Sequence, residues 1–170
     1  MRTRLKHAIV AGATIALVAP LGVALAAQGA SAAPVLLSAG KPATASSSNQ
    51  TYVAGNVTDG NQASYWESVN NAFPQWVQVD LGSAQSISKV VLQLPAAWGA
   101  RNQTIQVVGS TNGSNFSTLK DTASYAFTGG AGNTVTITFT AQTQRYVRLN
   151  ITANSGWPAG QISGFQVWNV

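Results

Sequence analysis

The chain has 170 residues, with nine basic side chains, four acidic ones, one histidine, no cysteine and a formal charge of +5. Only 8% of residues are charged, against about a quarter in an ordinary soluble protein. The lack of cysteine excludes disulfides and thiol chemistry, and three of the nine cations (Arg2, Arg4 and Lys6) stand together at the N-terminus.

Residues 1–32 are expected to be a secretory signal peptide. A short cationic segment, Met1 to His7, precedes an apolar run from Ala8 to about Ala27, interrupted by Gly12, Pro20 and Gly22. Ala30, Ser31 and Ala32 follow as an A-x-A cleavage sequence, which puts the cut after Ala32. No twin arginine is present, so ordinary secretion is expected rather than export of a folded protein. The mature domain, residues 33–170, is then extracellular, with no membrane insertion after cleavage. His7 and Met1 leave with the leader, and six cations remain against four acids. Without histidine or cysteine the domain cannot build a Ser-His-Asp or Cys-His site, or a zinc or copper site on those ligands. A net charge of +2 gives little drive for counterion release, so no nucleic-acid partner is expected.

Alternating apolar residues predict strands in the order Gln75–Leu81, Lys89–Leu94, Gln103–Val108, Thr134–Thr140, Arg145–Ile151 and Ile162–Trp168. Val135, Ile137 and Phe139, for example, share one face, with threonines on the other. Asp59-Gly60 and Asn112-Gly113 are turn dipeptides, the second placed as a hairpin requires. Ser, Thr, Asn and Gln make up 53 of residues 33–170, a composition suited to strands and turns and to a neutral hydrogen-bonding partner. The pattern predicts a single all-β domain, a sandwich or barrel. Three loops carry large aromatics: Tyr65 to Phe73, Pro95 to Arg101, and Asn154 to Gly160.

Several segments together form a recognisable ordered set. They are Gly40-Lys41-Pro42-Ala43-Thr44-Ala45-Ser46, Val57-Thr58-Asp59-Gly60-Asn61, Tyr65-Trp66-Glu67-Ser68 and Gln75-Trp76-Val77-Gln78-Val79-Asp80-Leu81-Gly82. Gly109-Ser110-Thr111-Asn112-Gly113, Arg145-Tyr146-Val147-Arg148-Leu149 and Gly160-Gln161-Ile162 follow. In this order and spacing they resemble a discoidin domain, or coagulation-factor type C domain. The likeness is greatest to the family 32 carbohydrate-binding modules of secreted actinobacterial glycoside hydrolases. The resemblance implies an eight-stranded antiparallel β-sandwich, a jelly roll, with ligands taken by loops at one end.

It also implies a calcium ion near Asp59-Gly60-Asn61, held by the aspartate, carbonyls and a glutamate before the last strand. Gly164 stands where that glutamate is usual. Calcium prefers six to eight oxygens, so Asp59 and the Ser64 hydroxyl define at most a weak site. The other reading of Asp59 is a turn aspartate accepting from backbone amides. No other cofactor is expected.

Sugars need flat aromatic faces for their C–H surfaces and fixed polar groups for their hydroxyls. Trp98 and Trp157 lie in loops matching the ligand end, with Arg101 three residues after Trp98. Glu67, Asn70 and Asn71 in one loop, and Asn49, Gln50 and Tyr52 in another, complete the candidates. Trp66 matches a core position, and Trp76 and Trp168 lie in strand-like runs as packing residues. The leading expectation is a non-catalytic, lectin-like domain for a neutral polysaccharide or glycan. An extracellular adhesion domain binding protein or lipid is the alternative. A glycosidase is a weaker one, because it needs two carboxylates in one cleft and only Glu67 lies in an expected ligand loop.

Overall fold

The computed structural model describes residues 33–130 and 132–169; the expected signal peptide, residues 1–32, lies outside them. Strands follow as β1 (Ala43–Ala45), β2 (Trp66–Glu67), β3 (Gln75–Gln93), β4 (Arg101–Ser110), β5 (Ser117–Phe127), β6 (Thr134–Asn154), β7 (Gln161–Ile162) and β8 (Gly164–Trp168). The one helical element among the described residues is a 3-10 turn, Ala54–Val57. No described helix is long and apolar enough to cross a membrane. The expected all-β sandwich is therefore present, and every strand pairing is antiparallel.

Two pairs of runs expected as separate strands are single long ones. Gln75–Leu81 and Lys89–Leu94 lie largely within β3, and Thr134–Thr140 and Arg145–Ile151 within β6. The first half of β3 pairs with β1 and with the second half of β6, which continues to β4 and β5. The second half of β3 pairs with the first half of β6 and with β8. The β3–β6 register slips between Asp80 and Gln85 and again between Ile87 and Lys89. Bulges of this kind bend strands and carry them from one sheet to another. The bend occupies the polar stretch Gly82–Gln85, where apolar alternation fails.

Both halves of the long strands face one core. Val77, Val79 and Leu81 meet Val90 and Leu92 of the same strand, with Val147, Leu149 and Ile151 from β6. Ile105, Val107, Phe127, Phe165, Val167 and Trp66 close it. Each such side chain contributes roughly 1.5–3 kcal/mol on burial, enough to hold a domain with no cross-links. Trp66 is fully buried, and its indole N–H donates to Ser47 O at 2.8 Å, as a buried tryptophan requires. Asn112-Gly113 joins β4 to β5 as predicted, with Gly113 at φ 77°.

Candidate functional site

The short β2–β7 pair sets the geometry of the ligand end. Its register puts Glu67 opposite Gln161 and Trp66 opposite Ile162. Trp66 and Ile162 point into the core, while Glu67 and Gln161 lie under the loops. Glu67 is 4% exposed and Gln161 is 3% exposed. Both need partners at that burial, and both have them. Glu67 Oε1 accepts from Asn49 Nδ2 at 2.8 Å, and Oε2 accepts from Gln161 Nε2 at 2.7 Å. Gln161 Oε1 accepts from Arg101 Nη1 at 2.7 Å and from Asn154 Nδ2 at 3.2 Å. The Gln161 backbone exchanges two further bonds with the buried Gln103 side chain.

Arg101 opens β4 as the 95–100 loop ends. Its guanidinium carbon lies 4.5 Å from the centroid of the Trp98 ring, within cation–π range. Burial lowers its pKa from the usual arginine value, and the charge of Glu67 opposes that shift. The guanidinium nevertheless stays charged. Gly156 makes room for it: a Cβ there would lie 2.9 Å from Arg101 Cβ and 3.1 Å from its Nε. Tyr65 meets Trp98 edge-on, with ring centroids 4.5 Å apart, and stacks on Tyr52 at 4.4 Å. Burial, then Tyr52, pushes the Tyr65 phenol well above its ordinary range, so it stays protonated.

These groups line a pocket of about 250 Å³ formed by Tyr65, Glu67, Trp98, Arg101, Gly156, Trp157 and Gln161. Trp157, 47% exposed, stands at its rim. The expected residues Trp98, Arg101, Trp157 and Glu67 are thus brought together. Glu67 is buried, with both carboxylate oxygens held by amides. Asn49 and Tyr52 stand behind the pocket, supporting Glu67 and Tyr65. Asn70 and Asn71 are exposed and do not line it. Asn71 instead donates its backbone N–H to Pro158 O at 2.7 Å, tying its loop to the Trp157 loop. Tyr65, Gly156 and Gln161 are the lining residues not among the expected ones. Gln161 had a signal in its position next to Gly160, at the end of the third aromatic loop.

The Asp59 turn is closed by its own hydrogen bonds. Asp59 Oδ1 accepts from Asn61 N at 2.8 Å, and Oδ2 accepts from Ser64 Oγ at 2.5 Å. Ser64 Oγ lies 2.9 Å from Asn61 O. Among the described residues no group of three acids, histidines or cysteines converges on a metal position. A Cβ on Gly164 would meet the side chain of Gln93, including Cβ and Cδ at 3.1 Å. Gln93 therefore fills the space a larger residue would need. One carboxylate with both oxygens occupied does not fit a tight calcium site.

The two arginines of β6 are engaged structurally. Arg145 makes a two-pronged pair with Asp80 at 2.8 Å in each prong. Arg148 lies between Trp76 and Phe116, 4.1 and 3.9 Å from the ring centroids, and donates to Gln78 Oε1. Among the described residues these two arginines form no basic patch.

An aromatic and hydrogen-bonding pocket at one end of a jelly-roll sandwich defines a binding domain. The F5/8 type C domain model matches residues 42–165, and the chain belongs to that family. No curated protein sequence matches the chain. Among solved structures, chitosan-binding module 1 from the chitosanase/glucanase of Paenibacillus sp. IK-5 is 36% identical, with a TM-score of 0.61. The match covers 78% of this chain and 98% of that one. Chitosan-binding module 2 of the same enzyme, solved with chitotriose, is 34% identical over 77% of this chain and 98% of that one, TM-score 0.59. The family 32 module of NanJ from C. perfringens, solved with galactose, shares the fold at TM-score 0.69 and 17% identity, covering 80% and 99%.

Proposed function

We propose that this domain binds a neutral polysaccharide or glycan without cleaving it, using Trp98, Trp157 and Arg101 with Glu67 behind them. The observation that carries this reading is the pocket itself. Two tryptophans border it, and one cation is fixed through Gln161 to a buried carboxylate. Aromatic faces pack against sugar C–H surfaces, and a pre-positioned guanidinium meets hydroxyls at little entropic cost. The likeness to modules described as chitosan-binding supports a carbohydrate ligand and makes glucosamine polymers a necessary comparison. Arg101 opposes a protonated amino sugar, so the neutral glycan ranks first.

The non-catalytic reading rests on carboxylates. Hydrolysis needs two, roughly 5–10 Å apart. Glu67 is the one acid lining the pocket, and Asp80 is paired with Arg145. Any calcium at Asp59 and Ser64 is proposed to be weak and unnecessary for sugar binding. The sequence of residues 1–32 supports an extracellular site of action, which N-terminal sequencing of protein from culture supernatant tests.

A glycan array with and without chelator tests the function. Binding to neutral glycans that survives chelation and is lost in Trp98→Ala/Trp157→Ala supports it. No binding to any glycan at high protein concentration refutes it, and release of reducing sugar would restore the glycosidase reading. A single shallow site is weak, so clustered ligands should be held far better than soluble ones.

A further inference from the structure

Trp98 has a second side. A further cleft, about 490 Å³, is lined by Asn61, Gln62, Ala63, Pro95, Ala96, Ala97 and Trp98. The first pocket alone, about 250 Å³, falls below the roughly 300–1,000 Å³ of sites that enclose drug-sized ligands. It has room for about one sugar ring. The two clefts share Trp98 as a common wall.

We propose that the binding site continues past Trp98 and takes a run of at least two linked sugar residues, one ring in each of the two clefts that share this residue. This rests on the carbohydrate-binding reading and deepens it. Arg101 lies over one face of the Trp98 ring, and Tyr65 meets the ring at 69°. Trp98 nevertheless lines the second cleft as well as the first. The second cleft has the components an uncharged ring requires. Ala63, Pro95, Ala96 and Ala97 provide apolar surface for C–H groups. Gln62 is anchored by its Nε2 donating to Leu94 O at 2.9 Å, which leaves its Oε1 as an acceptor. Asn61 Oδ1 takes Ala63 N at 3.0 Å, leaving its Nδ2 as a donor. Among the described residues no charged side chain lines this half, whereas the first holds Glu67 and Arg101.

The turn that resembles a calcium site thereby gains a function. The bonds from Asn61 N and Ser64 Oγ to Asp59 fix the loop carrying Asn61 and Gln62 before ligand arrives. The wall opposite is equally fixed, because Trp98 N donates to Pro95 O at 3.0 Å and Asn133 Nδ2 donates to the same carbonyl at 3.0 Å.

The test is titration calorimetry with two neutral ladders: glucose and N-acetylglucosamine, each with its β-1,4-linked oligomers of two to six residues. The readout is the ratio of oligomer to monosaccharide affinity within each protein. For the wild type, that ratio should rise about tenfold or more by two or three residues and then level off, tenfold being about 1.4 kcal/mol. In Ala97→Arg, which fills the second cleft with a charged chain, and in Gln62→Ala the ratio should fall towards one. A wild-type ratio independent of length overturns the extension and leaves the one-ring site standing, as does a length gain that survives both substitutions. Absence of binding by every member of both ladders overturns the site and the extension together.

Discussion

Gln161 Nε2 donates to Glu67 Oε2 at 2.7 Å across 94 residues of sequence, and this bond fastens the floor of the pocket. The same Gln161 accepts from Arg101, so one buried amide connects the carboxylate to the guanidinium. Gln161→Ala would leave Glu67 with one partner fewer and Arg101 without its anchor. Leaving a buried polar group unsatisfied costs about 1–3 kcal/mol, more for a charged one. Unfolding in urea should show a loss of that order, and sugar affinity should fall with it. Wild-type stability and affinity together would contradict the linkage.

The two rim tryptophans should respond differently. Trp157 is half exposed, so Trp157→Ala should leave stability within about 0.5 kcal/mol. Its affinity should fall roughly 2- to 12-fold, the range of one aromatic contact. Trp98→Ala loses the Tyr65 and Arg101 contacts as well, and should lower both stability and affinity. Equal stability losses in the two variants would argue against the distinction.

Gly156→Ala probes Arg101 without touching its charge. The added methyl would crowd Arg101 at 2.9 Å and turn the guanidinium away from Gln161. A hydrogen bond involving a charged group contributes about 1.5–3 kcal/mol, so affinity should fall at least tenfold while circular dichroism stays native. Unchanged affinity would show that Arg101 takes no part in holding the sugar.

Asp80 predicts the acid limit of stability. The hydrogen bond from Arg145 is the main cause holding its carboxyl below the usual value, and burial works against it. A depressed folded-state pKa adds stability above the unfolded value, about 3.9, and that stability is lost as pH falls through the folded pKa. Thermal unfolding from pH 6 down to 2 should therefore show a decline beginning near pH 4. Asp80→Asn should flatten this part of the profile while starting less stable at pH 6. An unaltered acid slope in the variant would assign the decline to another group.

Calcium should matter little. With an affinity no tighter than the weakest extracellular sites, Kd about 1 mM, calcium at about 1 mM adds roughly 0.4 kcal/mol. Differential scanning calorimetry in calcium and in chelator should give midpoints within about 3 °C. A larger rise with calcium would assign Asp59 and Ser64 a tighter ion than their hydrogen bonding suggests.

The strands that were legible are those with one face in the core, such as Val77-Val79-Leu81 and Val147-Leu149-Ile151, because burial enforces a period of two. β5 escaped notice because only Leu119 and Phe127 of its Ser117–Phe127 span are buried. An edge strand so exposed has no alternation to read, and Lys120 and Asp121 suit its open edge. The continuity of β3 and β6 was hidden by the polar bend, where bulges shift the register. At the site, the loop tryptophans were legible because large aromatics among Gly and Pro are conspicuous. The burial of Glu67 was not legible, because it depends on Asn49 and Gln161, 18 and 94 residues away. Such pairing emerges only when β2 meets β7.

The long β3 and β6 also govern how this chain reaches its native state. Their partners lie far apart in sequence, Leu92 with Val135 at the near end and Gln75 with Ile151 at the far end. The entropy of closing these loops is lost before most of the core forms. Topologies dominated by such distant pairings fold in milliseconds to seconds, far slower than helical bundles. During that interval the valine-rich faces of both strands stay open to water and to other chains. The rate of refolding should thus depend on β3–β6 contacts such as Val79 with Val147 much more than on the loops that hold the sugar.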